Sequence, residues 1–133
     1  MAHEEAIALE IVTPAKSLVN TRCVKVSIPG HKGELEVLES HTELLSTLLT
    51  GLVQYQHAGQ IHKVAVKAGF LQVNQNHIRL LADDAKFKKD VNVEQVQAEL
   101  KEVEAKLVSE KVGIEEREGL YQERDWLQAL LKL

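Results

Sequence analysis

The sequence predicts a mixed fold: an N-terminal antiparallel β-sandwich over residues 1–86, followed by a C-terminal antiparallel two-helix hairpin over 87–133. Three observations carry this expectation. From Ala6 to Ala82 apolar residues recur roughly every second position, the period of half-buried strands, whose successive side chains point to opposite faces. After "ADDAKFKKD" the period lengthens to that of a helix. From Val91 onward there is no proline, and the only glycines are Gly113 and Gly119.

The strands come first. "AIALEIVT" sets Ile7, Leu9 and Ile11 on one face and Glu10 on the other. "VKVSIP" does the same with Val24, Val26 and Ile28 against Lys25 and Ser27. Short polar or glycine-bearing stretches of hairpin length separate the runs: "PGHKG" from Pro29 to Gly33, "HAGQ" from His57 to Gln60 and "NQN" from Asn74 to Asn76. Many short strands at such spacing indicate an antiparallel sandwich or barrel.

The helices follow. Val96, Leu100, Val103 and Leu107 recur at i, i+4, i+7 and i+11, with Glu99, Lys101, Glu102 and Lys106 on the opposite face. Asn92 is placed to cap the N-terminus, with Glu94 in the first turn. Gly113 marks a tight connection. The second helix takes Ile114, Leu120, Tyr121, Leu127, Leu130 and Leu131 as its apolar positions, with Trp126 near that band. Each helix is expected to run about 20 residues, beyond the marginal length of about 12–15 for an isolated helix. One narrow stripe per helix can cover its neighbour, the sandwich or a partner. A hairpin with a small contact to its host domain is therefore a candidate moving part.

Composition narrows the function classes. The chain has 133 residues, 44% hydrophobic and 27% charged, with only 4% aromatic, so its core is built from Val, Ile, Leu and Ala. A net charge of −4 and the absence of any lysine or arginine block argue against nucleic acid. No apolar run approaches the roughly 20 residues that span a bilayer, and "MAHEEAIALE" lacks the pattern of a secretory signal. Membrane association is expected only through something already there. Cys23, the single cysteine, sits at a strand start and reads as a packing residue.

No catalytic or metal signature stands out. The six histidines, at positions 3, 31, 41, 57, 62 and 77, show no HxH or HExxH spacing. His31, His57 and His77 fall in or beside turns and read as solvated. There is no GxGxxG, P-loop or GxSxG motif. Asp83 and Asp84 read as a strand end, not an acid pair. No metal, cofactor or catalytic residue is expected. Arg117, Arg124 and Lys132 lie within about 40° of one direction around the second helix. They are either a solvated face diluted by acids or a basic track for an acidic partner. "GELEVLESHTELL", Gly33 to Leu45, surrounds His41 with Glu34, Glu36, Glu39 and Glu43. A metal site, an acid/base site or a docking loop would each suit those residue types, and no second ligand is in view.

The chain resembles the epsilon subunit of F-type ATP synthases, called delta in mitochondria. "AGFLQVNQNHIRLLADDA" (Ala68 to Ala85) is similar to the family's hairpin, a "GFLEV" strand, a polar turn and a strand ending "LAD-A". "GELEVLESHTELL" aligns without gaps on "GELGILPGHAPLL". The resemblance implies a non-catalytic rotor subunit. Its sandwich would bind the gamma subunit and sit against the c-subunit ring, coupling proton- or sodium-driven rotation to ATP synthesis. The helical hairpin would either fold on the sandwich or extend along gamma into the head, where it resists hydrolysis. Glu34 and His41 match the family's residues at the ring-facing end. Arg117, Arg124 and Lys132 lie in the region that meets acidic segments of the beta subunits, beside alpha. The implied location is the cytoplasmic face of the bacterial inner membrane, as part of the complex. The rival reading is a stand-alone sandwich that grips a ligand or peptide, with a hairpin for dimerisation.

Two departures from the family pattern carry expectations. Where the family has "PGHAP" this chain has "ESHTE", Glu39 to Glu43, which exchanges stiffening residues for acids and implies a more basic ring loop opposite. Where some bacterial members bind ATP through "I-D-x-x-R-A", the matching residues are Val91, Asn92, Gln95 and Val96. An acid and a phosphate-binding arginine are missing. Loss of one charge-assisted contact costs about 1.5–3 kcal/mol, so weak or no ATP binding is expected.

Overall fold

The structure is a computed structural model that describes residues 5–30, 33–37, 43–109 and 111–133, with backbone alone for residues 30 and 33–37. Among these residues the strands are β1 (Ile7–Val12), β2 (Ser17–Cys23), β3 (Val26–Gly30), β4 (Gly33–Val37), β5 (Leu44–Leu48), β6 (Gly51–His57), β7 (Gln60–Asn74) and β8 (His77–Lys86). A single 3-10 turn over Lys88–Asp90 leads to the helices α1 (Val93–Leu107) and α2 (Ile114–Leu131). The sandwich and the hairpin both follow the sequence reading.

The strands run in the order β2-β1-β8-β7-β6-β3-β4, with β5 also on β7. β5 and β6 share one edge of β7 in a single register, Leu44 opposite Val73 and Gly51 opposite Val66. The other edge of β7 carries β8. These strands turn a corner together. In β7 the inward residues are Val64 and Val66, then Leu71 and Val73. In β8 they are Ile78, Leu80 and Ala82, then Ala85; along β5 and β6, Leu48 and then Val53. Each strand shifts its alternation by one residue at the same level, which swaps the face it turns to the core. Two local devices allow the bend. The Ala68 N–H donates to Thr50 Oγ1 at 3.0 Å, where the backbone ladder is interrupted. A Cβ on Gly69 would lie 1.8 Å from the Leu81 carbonyl oxygen, so only glycine permits that approach.

One strand pair runs against the general pattern. The sandwich is not wholly antiparallel: β1 pairs with β8 in parallel, Ala8 opposite His77 through Val12 opposite Leu81. Parallel neighbours require a long crossover, and here the remainder of the sheet supplies it. The core beneath is aliphatic, with Ile7, Leu9, Ile11, Ile28, Leu48, Ile78 and Leu80 essentially fully enclosed. Each such side chain contributes about 1.5–3 kcal/mol by leaving water. Cys23 is packed among them.

The helices span 15 and 18 residues, shorter than expected, because α1 ends at Leu107 and α2 begins at Ile114. Asn92 caps α1, its side chain accepting the Gln95 N–H at 3.2 Å. A second apolar cluster holds the hairpin together: Val96 and Val103 from α1, Trp126, Leu127, Ala129 and Leu130 from α2, and Ala65 from β7. The apolar face assigned to α2 therefore shifts. Ile114 is 81% exposed at the free tip, where α1 has already ended, and Tyr121 is also exposed. Trp126 and Ala129 are buried in their place.

Candidate interaction surfaces

The hairpin rests on the sandwich through α2, which meets β6 and β7. Its seat is the outer face of those strands, where Leu52 and Ala65 are cross-strand partners and both join the hairpin cluster. Lys67 Nζ reaches Glu123 on α2 at 3.5 Å. The seat is small, and the two apolar clusters share no residue.

A second surface lies past the corner, on the outer face of β5, β7, β8 and β1. Phe70 is 58% exposed and stands opposite Leu81, which is 44% exposed. Leu81 is in turn opposite Val12 of β1. Leu45, 76% exposed, is paired with Gln72 and so lies diagonal to Phe70. The result is an uncovered apolar row across strands whose inner faces form the core. A polar row flanks it, with Glu10 opposite Arg79 in the ladder, the Arg79 Nε 3.4 Å from the Glu10 carboxylate, and His77 close to the same carboxylate.

At the opposite end of the sandwich is a clasp that the sequence did not reveal. The β6–β7 turn places Ala58 (φ 52°) and Gly59 (φ 75°) in the left-handed region. Two such residues match the twist of a tight hairpin, but a non-glycine there costs about 1–2 kcal/mol. Glu5 offsets that cost. It accepts the Ala58 N–H with one oxygen and lies 2.9 Å from His57 Nδ1 with the other. His57 Nδ1 also lies 2.7 Å from the Arg22 carbonyl oxygen. Two acceptors at Nδ1 require that this nitrogen carry the proton. His57 is thus a structural link, not a freely solvated turn residue. The Ala58 N–H and, secondarily, His57 hold the Glu5 carboxyl below its usual range. Nearby, burial pushes the Cys23 thiol up to about 11, which suits a packing residue. Burial likewise raises the Tyr55 phenol, whose ring stacks on His62 with centroids 5.1 Å apart.

The sequence-predicted site residues are dispersed. Glu34 lies in β4, paired with Pro29, and its side chain is outside the described residues. His41 is wholly outside them, as are Glu39 and the side chain of Glu36; Glu43 is exposed. Of the matches to the ATP motif, Asn92 uses its side-chain oxygen as a cap, and the Gln95 amide donates to Glu99 at 3.2 Å. Val96 is buried, and Val91 packs partly against the hairpin cluster. Arg117 turns away from solvent, donating to the carbonyl oxygens of Leu107 at 2.6 Å and Ser109 at 2.8 Å. Arg124 stacks over the Tyr121 ring at 4.9 Å, and Lys132 is exposed at the end of α2. The three basic residues therefore do not act as one free track in this conformation.

Among the described residues, no three His, Cys, Asp or Glu side chains form a metal-binding group, and no helix is long and apolar enough to cross a membrane. A sandwich with an apolar outer row, joined to a hairpin on a small seat, has the form of an interaction subunit. The comparisons specify which. Residues 6–88 match the family described as ATP synthase, Delta/Epsilon chain, beta-sandwich domain. An ATP synthase epsilon chain of Solibacter usitatus is 30% identical over 116 residues, 87% of each chain. One from Nitratidesulfovibrio vulgaris is 35% identical over 111 residues, 82% of this chain and 83% of its own. The same fold occurs in the mitochondrial ATP synthase of Euglena gracilis (OSCP/F1/c-ring), with a TM-score of 0.83 at 18% identity over 99% of this chain and 83% of that one. The central stalk and c-ring of the Tetrahymena thermophila enzyme give a TM-score of 0.64 at 11% identity over 98% of both chains. The chain belongs to the delta/epsilon chain family of the F-type ATP synthases, as a non-catalytic subunit of that complex.

Proposed function

We propose that this chain is the central-stalk rotor subunit through which ion-driven rotation of the c-subunit ring is coupled to ATP synthesis. The observation that carries the reading is the apolar row of Leu45, Phe70 and Leu81, left open on the layer that the hairpin does not cover. Exposed apolar side chains grouped in this way mark a protein contact, and the gamma subunit is the partner that family membership supports. Glu34 and His41 are assigned to the ring-facing end. The division into a sandwich, 1–86, and a hairpin, 87–133, belongs to this reading and is supported by the two separate apolar clusters, with Phe87 at the junction packing back on the sandwich core.

The hairpin is the regulatory part. Folded, it lies on Leu52 and Ala65. Extended along gamma, it meets the beta and alpha subunits through the Arg117, Arg124 and Lys132 region and resists ATP hydrolysis. The small seat supports this, because a shift between two docked forms needs only a few kcal/mol of differential contact, on the order of what such a patch supplies. The complex holds the chain at the cytoplasmic face of the bacterial inner membrane. Neither nucleic acid nor a cofactor is required, and ATP binds weakly or not at all.

Two experiments test the reading. Co-purification of gamma should be strong with the native chain and lost with Phe70→Glu plus Leu81→Glu; equal recovery would remove the apolar row as the gamma surface. ATP hydrolysis by the assembled head should be inhibited by the full chain and less by a chain ending at Lys89, whose sandwich retains its own core. Equal inhibition would remove the hairpin as the regulatory element.

A further inference from the structure

What ends α1 is not in its own sequence. The connector 108–113 contains no proline. Val108, the C-cap residue, stays in the right-handed helical region at φ −86° and ψ −5°, and Gly113 has an ordinary φ of −73°. The left-handed glycine that commonly closes a helix is therefore absent. Among the described residues, weak bonds continue the chain: Val108 N–H to the Glu104 carbonyl oxygen and Ser109 N–H to that of Lys106, both at 3.2 Å, and Lys111 N–H to Ser109 Oγ at 3.3 Å. The strong bonds come from the other helix. Arg117, in the first turn of α2, donates Nη1 to the Leu107 carbonyl oxygen at 2.6 Å and Nη2 to that of Ser109 at 2.8 Å. It places a positive charge where the carbonyl end of α1 is negative. Its backbone N–H is used within α2, at 3.0 Å from the Gly113 carbonyl oxygen.

We propose that Arg117 is the latch of the hairpin: α2 supplies the guanidinium that terminates α1, and this fork adds to the apolar cluster by holding the loop end of the hairpin closed. The planar fork suits two carbonyl oxygens at once, which a lysine cannot match. Its regulatory meaning rests on the hairpin reading above: opening the hairpin must first release the Leu107 and Ser109 carbonyls.

The test is amide hydrogen exchange on the full chain, native against Arg117→Gln and Arg117→Lys. In the glutamine variant, the hydrogen-bonded amides of Val108, Ser109 and position 117 should exchange about tenfold faster, equivalent to about 1.4 kcal/mol. The lysine variant should fall between. Amides of Val64 and Val73, deep in the sandwich, serve as the internal control and should not change. Unchanged exchange at Val108 and Ser109 overturns the latch. So does acceleration that includes Val64 and Val73 equally in both variants, which would make Arg117 a general stabiliser. A second arm measures ATP hydrolysis by the assembled complex with Arg117→Gln. Faster local exchange with unchanged hydrolysis keeps the latch and overturns the regulatory role of the hairpin instead.

Discussion

Lys67 and Glu123 join the sandwich to the hairpin: the β7 ammonium lies 3.5 Å from the α2 carboxylate, beside the apolar seat of Leu52 and Ala65. Both side chains are partly exposed, so the pair is a surface ion pair worth about 0.2–1 kcal/mol. Its leverage comes from its place, because it acts on docking and not on either core. Glu123→Lys should loosen α2 from β7 by up to about 1 kcal/mol, roughly fivefold in docking equilibrium. The charge-swapped double variant, with Lys67→Glu added, should recover most of that. Hydrogen exchange along α2 reads the effect, and no recovery in the double variant would mean the pair does not contribute.

Gly69 and the Leu81 carbonyl set the corner of the sandwich. A Cβ at 1.8 Å cannot be absorbed by rotating a side chain, since the atoms it meets are backbone. Gly69→Ala should cost about 3 kcal/mol in denaturant unfolding, at the upper end for an overpacked site. Gly119→Ala, within α2 and with open space around its Cβ position, is the control and should be neutral or slightly stabilising. If both behave alike, the bend is not what requires glycine at 69.

Local rules made most of the fold legible. Alternation in "AIALEIVT" and "VKVSIP" sets the strand faces, and Asn92 is read as a cap from its type and place alone. Distance hid the rest. The parallel β1–β8 pair and the Glu5–His57 clasp link residues 52 or more positions apart, beyond the reach of any local pattern. The corner left one trace: Val64, Val66, Leu71 and Val73 break strict alternation around Gly69. Arg117 looked like a surface cation because its partners are carbonyls, which every residue carries. Ala65 and Leu52 look like ordinary strand residues, and only the packed hairpin marks them as a seat.

Glu5 should give the sandwich a stability component that depends on acid. Its carboxyl titrates lower in the folded chain than the ordinary 4.5, chiefly through the Ala58 N–H and then through His57. A lowered folded value means that the contribution is fully present above about pH 4.5 and is lost as pH falls through the folded value. Native and Glu5→Gln chains should therefore differ in unfolding midpoint at pH 7, and that difference should shrink steadily below pH 4.5. A gap that stays constant to pH 3 would show that the carboxylate charge is not what stabilises the turn.

ATP should find no strong site at the start of α1. The Asn92 oxygen is tied to the Gln95 N–H at 3.2 Å, and the Gln95 amide is tied to Glu99. Val96 is buried against α2, so it offers no contact at all. Neither Asn92 nor Gln95 carries a positive charge to meet a phosphate, and Glu94 and Glu99 beside them would repel it. Calorimetry should show no ATP binding in the micromolar range for the native chain. Asn92→Asp keeps a good cap and restores the acid; Gln95→Arg restores a fork suited to phosphate. Together they should raise affinity about tenfold or more, the worth of one charge-assisted bond. Asn92→Ala should leave ATP binding unchanged and instead cost about 1 kcal/mol of helix stability. Micromolar binding by the native chain would mean that groups other than these four positions hold the nucleotide.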